Sequence, residues 1–317
     1  MQTNAINWQS LDAFPQLGQE PQVVVVGVFD GVHRGHQALL QEAVRIAGET
    51  KATVTALTFD PHPTQVFAPA RVPPLLGTLD ERALLLRSYG AMRVVVVPFD
   101  RKFAAQTAEQ FVSDVLRRCL NAHAVVVGED FRFGCDRSGN VAFLRDAGER
   151  LGFTVHTLAP VFVDGVPARS TAVRQLIAGG LVREAERLLG HSYCLSGTVE
   201  RGKQLGRTLG FPTANLAMPK NILIPGPGVY AGYAHLHNGE TYRTAISIGT
   251  NPTVTPDNRV HIVEAYLMDG FDGDLYGQAL SLDFTAFLRP TLKFTDLPTL
   301  VVQMRQDVAQ AADILAM

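Results

Sequence analysis

The sequence predicts an α/β domain with a parallel β-sheet, followed by a small antiparallel β-barrel with one last helix. Two observations indicate this fold class. Up to residue 189, short runs of β-branched residues alternate with helical stretches, which is typical of parallel sheets covered by helices. Beyond that point, strand-like runs are joined by turn signals such as Asn238-Gly239. We therefore predict two domains, 1–189 and 190–317.

The first half contains strands and helices in alternation. The predicted strands are Gln22–Val28, Thr53–Thr58, Arg93–Val97, Ala124–Gly128 and Phe153–Leu158. The predicted helices are Gln37–Gly48, Leu79–Tyr89, Ala108–Leu120 and Asn140–Leu151. Ligands of such sheets bind at the carboxyl ends of the strands. We therefore expect one site built from the loops that follow the first, second and fourth strands.

Two more helices, Thr171–Ala178 and Leu181–Leu189, lead into the second half. The strands predicted there are Tyr193–Glu200, Gly228–His237, Thr241–Ile248, His261–Met268 and Gln278–Leu288, and the helix is Asp296–Ala316. Several strands joined by tight turns, with a single helix after them, favour a small antiparallel barrel.

The composition is that of an ordinary globular protein, with 46% hydrophobic and 18% charged residues and a formal net charge of −2. Neither half has the basic excess expected of a protein that grips nucleic acid. No secretory signal and no membrane-spanning apolar run is visible, and the three cysteines are scattered, which favours a reducing compartment. We expect a cytoplasmic protein that acts on small molecules without nucleic-acid or membrane partners. Its oligomeric state stays open.

The loop Gly27–His36 predicts a phosphate site. It joins a buried strand to a helix, so backbone N–H groups and the positive end of the helix face the bound group. His33 and His36 can both face that group, and their N–H groups suit a triphosphate whose charge grows during reaction. Zinc is disfavoured because no third ligand lies at a recognisable spacing. A glycine-rich turn with incidental histidines is the other alternative.

This loop resembles the His-x-Gly-His signature of nucleotidyltransferases and, more narrowly, the opening motif of prokaryotic FAD synthetases. The resemblance continues through Phe59–Pro63, Gly128–Gly134 and Arg169–Arg174. It implies a Rossmann-like sheet on which FMN attacks the α-phosphorus of ATP, with Mg²⁺ present and pyrophosphate leaving. The residues implied for ATP and phosphate are Gly27, Phe29, Asp30, Gly35, Ser170, Thr171 and Arg174.

Other interpretations of these positions stay open. Ser170 and Thr171 could cap a helix, and Asp130, implied to lie near the adenosine or flavin, could be a solvated carboxylate. Asp60 and His62 could simply form a turn. Arg169 stands where the family's Ser-Ser-Thr-x-x-Arg element has its first serine.

The segment Gly206–Asn215 stands out in the second half. Thr213 and Asn215 alternate onto one face of the extended chain after Pro212, and this oxygen pair could hold Mg²⁺ and a terminal phosphate. An ordinary turn is the alternative. The segment resembles the Pro-Thr-Ala-Asn signature of riboflavin kinases. That resemblance extends over almost all of 190–317, through Gly228–Gly232, Ile248–Thr253, Val263–Tyr266, Asp274–Gly277 and Phe287–Pro290.

Glu264 is the candidate general base of this half. It lies in an otherwise apolar predicted strand, where an unpaired carboxylate would be costly. The resemblance implies that Glu264 accepts the proton of the ribityl 5′-hydroxyl of riboflavin, and that Asn251 and Arg289 contact the flavin. A structural carboxylate with satisfied partners is the alternative.

Together the resemblances imply a bifunctional enzyme that phosphorylates riboflavin to FMN with ATP and then transfers AMP to FMN, giving FAD and pyrophosphate. Two other hypotheses stay open. In the first, only one of the two activities is retained and the other half binds flavin. In the second, the chain is a flavin-responsive regulatory protein without catalysis.

Overall fold

The computed structural model describes residues 9–10, 20–202, 206, 209–251 and 260–316, without the side chains of 9–10, 250–251 and 260–261. The chain divides into two compact units between Ser170 and Thr171. None of the helices in the described ranges is long and apolar enough to cross a membrane.

The first unit is built on a parallel sheet. Its strands are β1 (Gln9–Ser10), β2 (Gln22–Val26), β3 (Thr53–Asp60), β4 (Arg93–Pro98), β5 (Ala122–Gly128) and β6 (Thr154–Leu158), in the order β1-β4-β3-β2-β5-β6. All neighbouring strands are parallel. The five predicted strands are confirmed. The two-residue strand β1, which was not predicted, pairs with β4 at one edge of the sheet.

The helices of this unit cover both faces of the sheet. They are α1 (Arg34–Thr50), α2 (Pro63–Phe67), α3 (Leu79–Ser88), α4 (Arg101–Ala104), α5 (Ala108–Gln110, continuing as the π-helix Phe111–Cys119) and α6 (Val141–Leu151). Val23 and Val25 pack towards α1 and α3, whereas Val24 and Val26 pack towards α5 and α6. The β2 run is therefore continuously apolar because each of its faces is buried.

A short hairpin, β7 (Phe162–Val163) and β8 (Val166–Pro167), ends the first unit. The second unit begins at the second residue of α7 (Ser170–Ala178) and continues with α8 (Val182–Leu189). Both helices were predicted, but as the end of the first domain, because the boundary was predicted at residue 190. Helix α8 packs against strands of the barrel, which explains why it clusters with the second unit.

The second unit is a closed antiparallel barrel, as predicted. Its strands are β9 (Tyr193–Glu200), β10 (Ala214–Ala217), β11 (Gly228–Leu236), β12 (Thr241–Asn251), β13 (Val260–Leu267) and β14 (Ala279–Arg289), in the order β10-β13-β12-β11-β14-β9. The short strand β10 was predicted only as an extended segment. The helix α9 (Leu297–Leu315) follows the barrel, and Asp296 caps it by accepting from the Thr299 N–H at 2.8 Å.

Alternate residues of the barrel strands point inward and outward. In β13, Val263, Ala265 and Leu267 are buried in the interior, while the residues between them face outward. On the outside, Ala231 and Ala286 pack with Ala311 and Leu315 of α9. The helix therefore covers part of the outer face of the barrel.

Candidate active sites

A cavity of about 830 Å³ lies at the carboxyl edge of the parallel sheet and is called the sheet-edge cavity below. Gly27 and Val28 line it after β2, His62 after β3, and the segment 130–134 after β5. The three loops predicted to share one site thus meet at one cavity. The strand order reverses between β2 and β5, which is where such sheets bind ligands.

Aromatic side chains form much of the cavity wall. Rings of neighbouring phenylalanines are in contact, with centroids 5.5 Å apart for Phe59 and Phe99 and 5.3 Å apart for Phe131 and Phe133. The phenylalanines that line the cavity are Phe59, Phe67, Phe99, Phe103, Phe111, Phe131 and Phe133. Such walls suit a flat, apolar ring system. This cluster was not predicted from the sequence, although Phe59 and Phe99 both lie at strand ends.

His33 and His36 lie together at the start of α1. Their rings stack with centroids 3.7 Å apart. Nδ1 of His36 is buried with no hydrogen-bond partner among the described residues. Burial, the neighbouring His33 and the charge of Arg82 hold the pKa of His36 well below its usual value of 6.5. His36 is therefore neutral at pH 7 and offers an N–H group, not an imidazolium charge.

The start of α1 has no side-chain cap. His33 is the N-cap residue of this helix, and its side chain does not cap the backbone N–H groups of the first turn. Gly35 lies within this turn, where an added Cβ would be 3.1 Å from the carbonyl oxygen of Ala168 and from the His33 ring. A side chain at this position would therefore fit only if these neighbours shifted by a few tenths of an ångström.

The other predicted residues of the turn make internal contacts. Phe29 is fully buried at a φ of 55°, with its ring 5.1 Å from that of His36. The Asp30 carboxylate accepts from the Leu76 N–H at 2.9 Å, and the Asp30 carbonyl accepts from the Ser170 hydroxyl at 2.9 Å. These contacts hold the shape of the turn. Direct contact of Phe29, Asp30 or Ser170 with ATP stays a prediction.

Asp130 lies on the lining of the sheet-edge cavity, with a side chain that is 80% exposed. The guanidinium of Arg169 is 3.8 Å from it. Thr171 and Arg174 belong to α7 in the second unit. Their predicted contacts with phosphate stay predictions.

The barrel register builds a second site around Glu264. Glu264 is directly opposite Asn215 of β10 and Ser247 of β12. Ser247 is opposite Val229, which is opposite Arg289. Directly opposed residues share one face of a sheet, with Cβ atoms about 4.5–5.5 Å apart. Because Val263 and Ala265 point inward, this row faces outward.

A cavity of about 380 Å³, called the barrel groove below, lies between this row and α9. Its lining includes Ser247, Glu264, Tyr266 and Arg289. Arg289 donates two hydrogen bonds to Asp307 of α9, at 2.7 and 2.6 Å, and the Gln303 amide donates to the same carboxylate at 2.9 Å. Asp307 and Ser247 were not predicted as site residues, since helical and strand periodicity do not reveal which outward positions meet.

Thr213 lines the barrel groove and also a neighbouring cavity of about 510 Å³, called the adjoining cavity below. The adjoining cavity is lined further by Phe271, Asp272, Asp274 and Tyr276. Thr213 therefore separates the two cavities. The predicted flavin contact of Asn251 concerns a side chain outside the described residues.

Two glycines lie against the predicted oxygen pair of this site. A Cβ at Gly202 would lie 2.5 Å from the side chain of Asn215. A Cβ at Gly206 would lie 2.3 Å from the carbonyl oxygen of Phe211 and 3.3 Å from the hydroxyl of Thr213. Glycine at both positions lets the chain pass close to Thr213 and Asn215.

Both units match families of known proteins. A family model for FAD synthetase matches residues 16–172, and one for riboflavin kinase matches residues 189–315. The bifunctional riboflavin kinase/FMN adenylyltransferase of Escherichia coli (strain K12) is 38% identical over 95% of each chain. The protein of the same description from Pseudomonas fluorescens is 37% identical over 93% of each chain.

Among solved structures, a crystal structure titled a macrolide-efflux protein from Streptococcus pneumoniae aligns with a TM-score of 0.84 at 30% identity. The alignment covers 93% of the present chain and 95% of that chain. The likeness therefore extends over the parallel-sheet unit and the barrel unit alike.

A nucleotidyltransferase-like sheet followed by a kinase barrel defines a two-unit transferase. The chain belongs to the family of bifunctional riboflavin kinase/FMN adenylyltransferases. It phosphorylates riboflavin to FMN with ATP, and it transfers AMP from ATP to FMN to give FAD and pyrophosphate.

Proposed function

We propose that riboflavin is phosphorylated where the barrel groove meets the adjoining cavity. The position of Thr213 carries this proposal, because its side chain lines both cavities while Glu264 lines only the groove. Riboflavin in the groove would present its 5′-hydroxyl to Glu264. ATP in the adjoining cavity would present its terminal phosphate across Thr213.

In this assignment Glu264 is the general base. Its carboxylate accepts the proton of the 5′-hydroxyl as the oxygen of that hydroxyl attacks the γ-phosphorus and ADP leaves. Arg289 and Asn251 are proposed contacts of the flavin. Arg289 also carries the ion pair that joins the groove to α9.

Thr213 and Asn215 fit Mg²⁺ as neutral oxygen donors. Magnesium keeps several waters and is bound through few protein oxygens together with substrate phosphates. No group of three or more His, Cys, Asp or Glu side chains in the described ranges is placed to hold a metal. Gly202 and Gly206 let the backbone pack closely beside these two side chains, which limits the directions that they can take. Bound there, Mg²⁺ would neutralise charge on the phosphates of ATP.

FMN adenylylation is assigned to the sheet-edge cavity. The flavin ring packs against the phenylalanines, and the triphosphate of ATP lies on the Gly27–His36 turn at the start of α1. An FMN phosphate oxygen attacks the α-phosphorus in line, so no protein nucleophile is needed. His33, His36 and the N-terminus of α1 stabilise the charge that develops on the departing pyrophosphate.

Further proposals about ligand contacts, partners and compartment rest on the resemblance to FAD synthetases and riboflavin kinases. Gly27, Gly35, Ser170, Thr171 and Arg174 are proposed ligands of the ATP phosphates, and Asp130 a neighbour of the adenosine or flavin. Small molecules are the proposed partners, with no nucleic acid, and the cytoplasm is the proposed compartment. Residue 190 is the proposed boundary between the two activities, since every residue assigned to the kinase follows it.

The direct test is a time course with purified protein, riboflavin and Mg-ATP, in which flavins are separated chromatographically. We expect FMN to appear first and FAD afterwards. Supplying FMN directly should give FAD without a lag. Chelating divalent cations before ATP is added should stop both reactions. Formation of FAD without prior FMN, or full turnover with chelator present, would contradict these assignments.

A further inference from the structure

Arg82 is a buried cation that sequence analysis did not single out. It lies in the first turns of α3, where its side chain is only 7% exposed. The helix start is fixed by a capping box between Thr78 and Glu81, and the Leu76 N–H just before it bonds to Asp30 of the phosphate turn. Arg82 therefore projects from a rigid element into the region behind the sheet-edge cavity.

The contacts of Arg82 join two strand ends. Its Nη1 donates to the carbonyl oxygens of Val28, at 2.9 Å, and Phe59, at 3.1 Å. The same nitrogen is 3.2 Å from the hydroxyl of Thr58, which itself donates to the Val28 carbonyl at 3.0 Å. Val28 opens the turn that carries the histidines, and Phe59 opens the loop Asp60–Pro63. Both Val28 and Phe59 line the cavity.

Two carboxylates interact with the buried charge of Arg82. Nη2 is 3.7 Å from Asp60, whose side chain is 46% exposed, and Asp30 also interacts with the guanidinium. Guanidinium groups stay protonated in proteins. A positive charge is therefore held behind the turn on which the phosphates are proposed to bind. It also helps to lower the pKa of His36 and so to keep that side chain neutral.

We propose that Arg82 is a positioning residue for FMN adenylylation, which holds the Gly27–His36 turn and the Asp60–Pro63 loop at the separation that ATP and FMN require. This proposal rests on the assignment of adenylylation to the sheet-edge cavity. A positioning residue does not touch the substrates but holds the backbone segments that do. Its loss acts mainly on kcat, because a displacement of the reacting groups by about 1 Å lowers the rate on the order of 10²-fold.

The test compares Arg82→Met, Arg82→Lys and the matched control Arg87→Met in the full chain. Arg87 lies on the same helix and is exposed. Adenylylation of FMN and phosphorylation of riboflavin are both measured below the unfolding temperature of each variant. We expect Arg82→Met to lower kcat for adenylylation on the order of 10²-fold, with KM for ATP and FMN nearly unchanged. Riboflavin phosphorylation, and both activities of Arg87→Met, should match the wild type.

The lysine variant separates positioning from general stability. Its ammonium keeps the charge but lacks the planar fork of the guanidinium and cannot reproduce all of its hydrogen bonds, so we expect kcat to recover only in part, to about tenfold below the wild type. Wild-type kcat in both Arg82 variants, a loss confined to KM, or an equal loss of both activities would overturn the proposal. If Arg82→Met fails to fold, Arg82→Lys decides, because an unchanged kcat there overturns it as well.

His36→Ala, measured in parallel, keeps this result distinct from the site assignment. Wild-type adenylylation in His36→Ala would overturn the assignment of adenylylation to this cavity. Loss of adenylylation in His36→Ala together with normal turnover in both Arg82 variants would overturn the role of Arg82 alone.

Discussion

The sheet-edge cavity and the barrel groove are built from different parts of the chain. The first is lined mainly by loops that follow parallel strands, so its lining comes from short continuous segments. The second combines side chains of four barrel strands, which antiparallel register places side by side, with residues of the neighbouring segments and of α9. The first cavity therefore depends mainly on the conformation of a few loops, whereas the second depends on strand register and on the packing of α9.

The largest expected effect separates the two sites at Glu264. Glu264→Gln keeps the shape of the side chain and removes the base, so riboflavin phosphorylation should fall roughly 10²–10⁴-fold. Adenylylation of supplied FMN should be unchanged. The exposed Glu184 on α8 provides the matched control, Glu184→Gln. A kinase rate close to that of the wild type would reassign Glu264 to a structural role.

The reciprocal change is His36→Ala in the sheet-edge site. Loss of a donor aimed at developing charge should reduce FMN adenylylation roughly 10²–10³-fold, with riboflavin phosphorylation nearly intact. His123→Ala removes an exposed histidine of β5 and serves as the control. Steady-state rates of both reactions on the same preparations provide the measurement. Equal loss of both activities in a folded protein would argue against two separate sites.

The ion pair beneath the barrel groove predicts an effect on stability. Asp307 is 5% exposed, and both of its oxygens are bonded to Arg289. Asp307→Ala leaves a buried guanidinium without its partner and should lower the free energy of unfolding by about 3 kcal/mol. Replacing both residues, with Arg289→Met and Asp307→Leu, should recover most of that loss. Urea unfolding followed by circular dichroism measures both, and equal stability of wild type and Asp307→Ala would contradict the expectation.

The division into two units predicts a difference in stability between two C-terminal fragments. A fragment 190–317 keeps every proposed kinase residue but lacks α8, whose Val182, Leu188 and Leu189 are buried. We expect it to be less stable than a fragment 171–317 by at least about 2 kcal/mol, because burial of even one Val or Leu contributes about that much. Riboflavin phosphorylation by both fragments would support the chemical boundary. Equal stability of the two fragments would show that α8 adds nothing to the barrel.

The smallest effect concerns pH and the first unit. Unfolded His36 binds a proton with its ordinary pKa of 6.5, whereas the folded pKa is well below that value. The stability associated with neutral His36 is therefore complete above pH 6.5 and is lost as the pH falls towards the folded pKa, by at most about 1.4 kcal/mol per pH unit. Urea midpoints between pH 7.5 and pH 5.5 should fall less in His36→Gln than in the wild type. Parallel curves for the two proteins would contradict this expectation.

The amino-acid sequence by itself determined the two-unit architecture, because hydrophobic periodicity and turn signals are local properties of the chain. It also predicted the loop Gly27–His36, the segment Gly206–Asn215 and the candidate base Glu264, since each motif is continuous or lies within one strand. Helix and strand ends differ from the predictions by a few residues. Strands β1 and β10 were missed as strands because they are too short for a clear pattern.

Only the tertiary structure decided which distant residues meet. The alignment of Asn215, Glu264, Ser247 and Arg289 depends on strand register, which closure of the barrel sets and no local pattern reveals. The contacts of Arg82 with the ends of β2 and β3 depend in the same way on how α3 packs against the sheet. A lone arginine in a helix is ordinarily a solvated surface residue. Packing of α3 against the sheet buries Arg82, so that its charge and its hydrogen bonds act on the ends of β2 and β3.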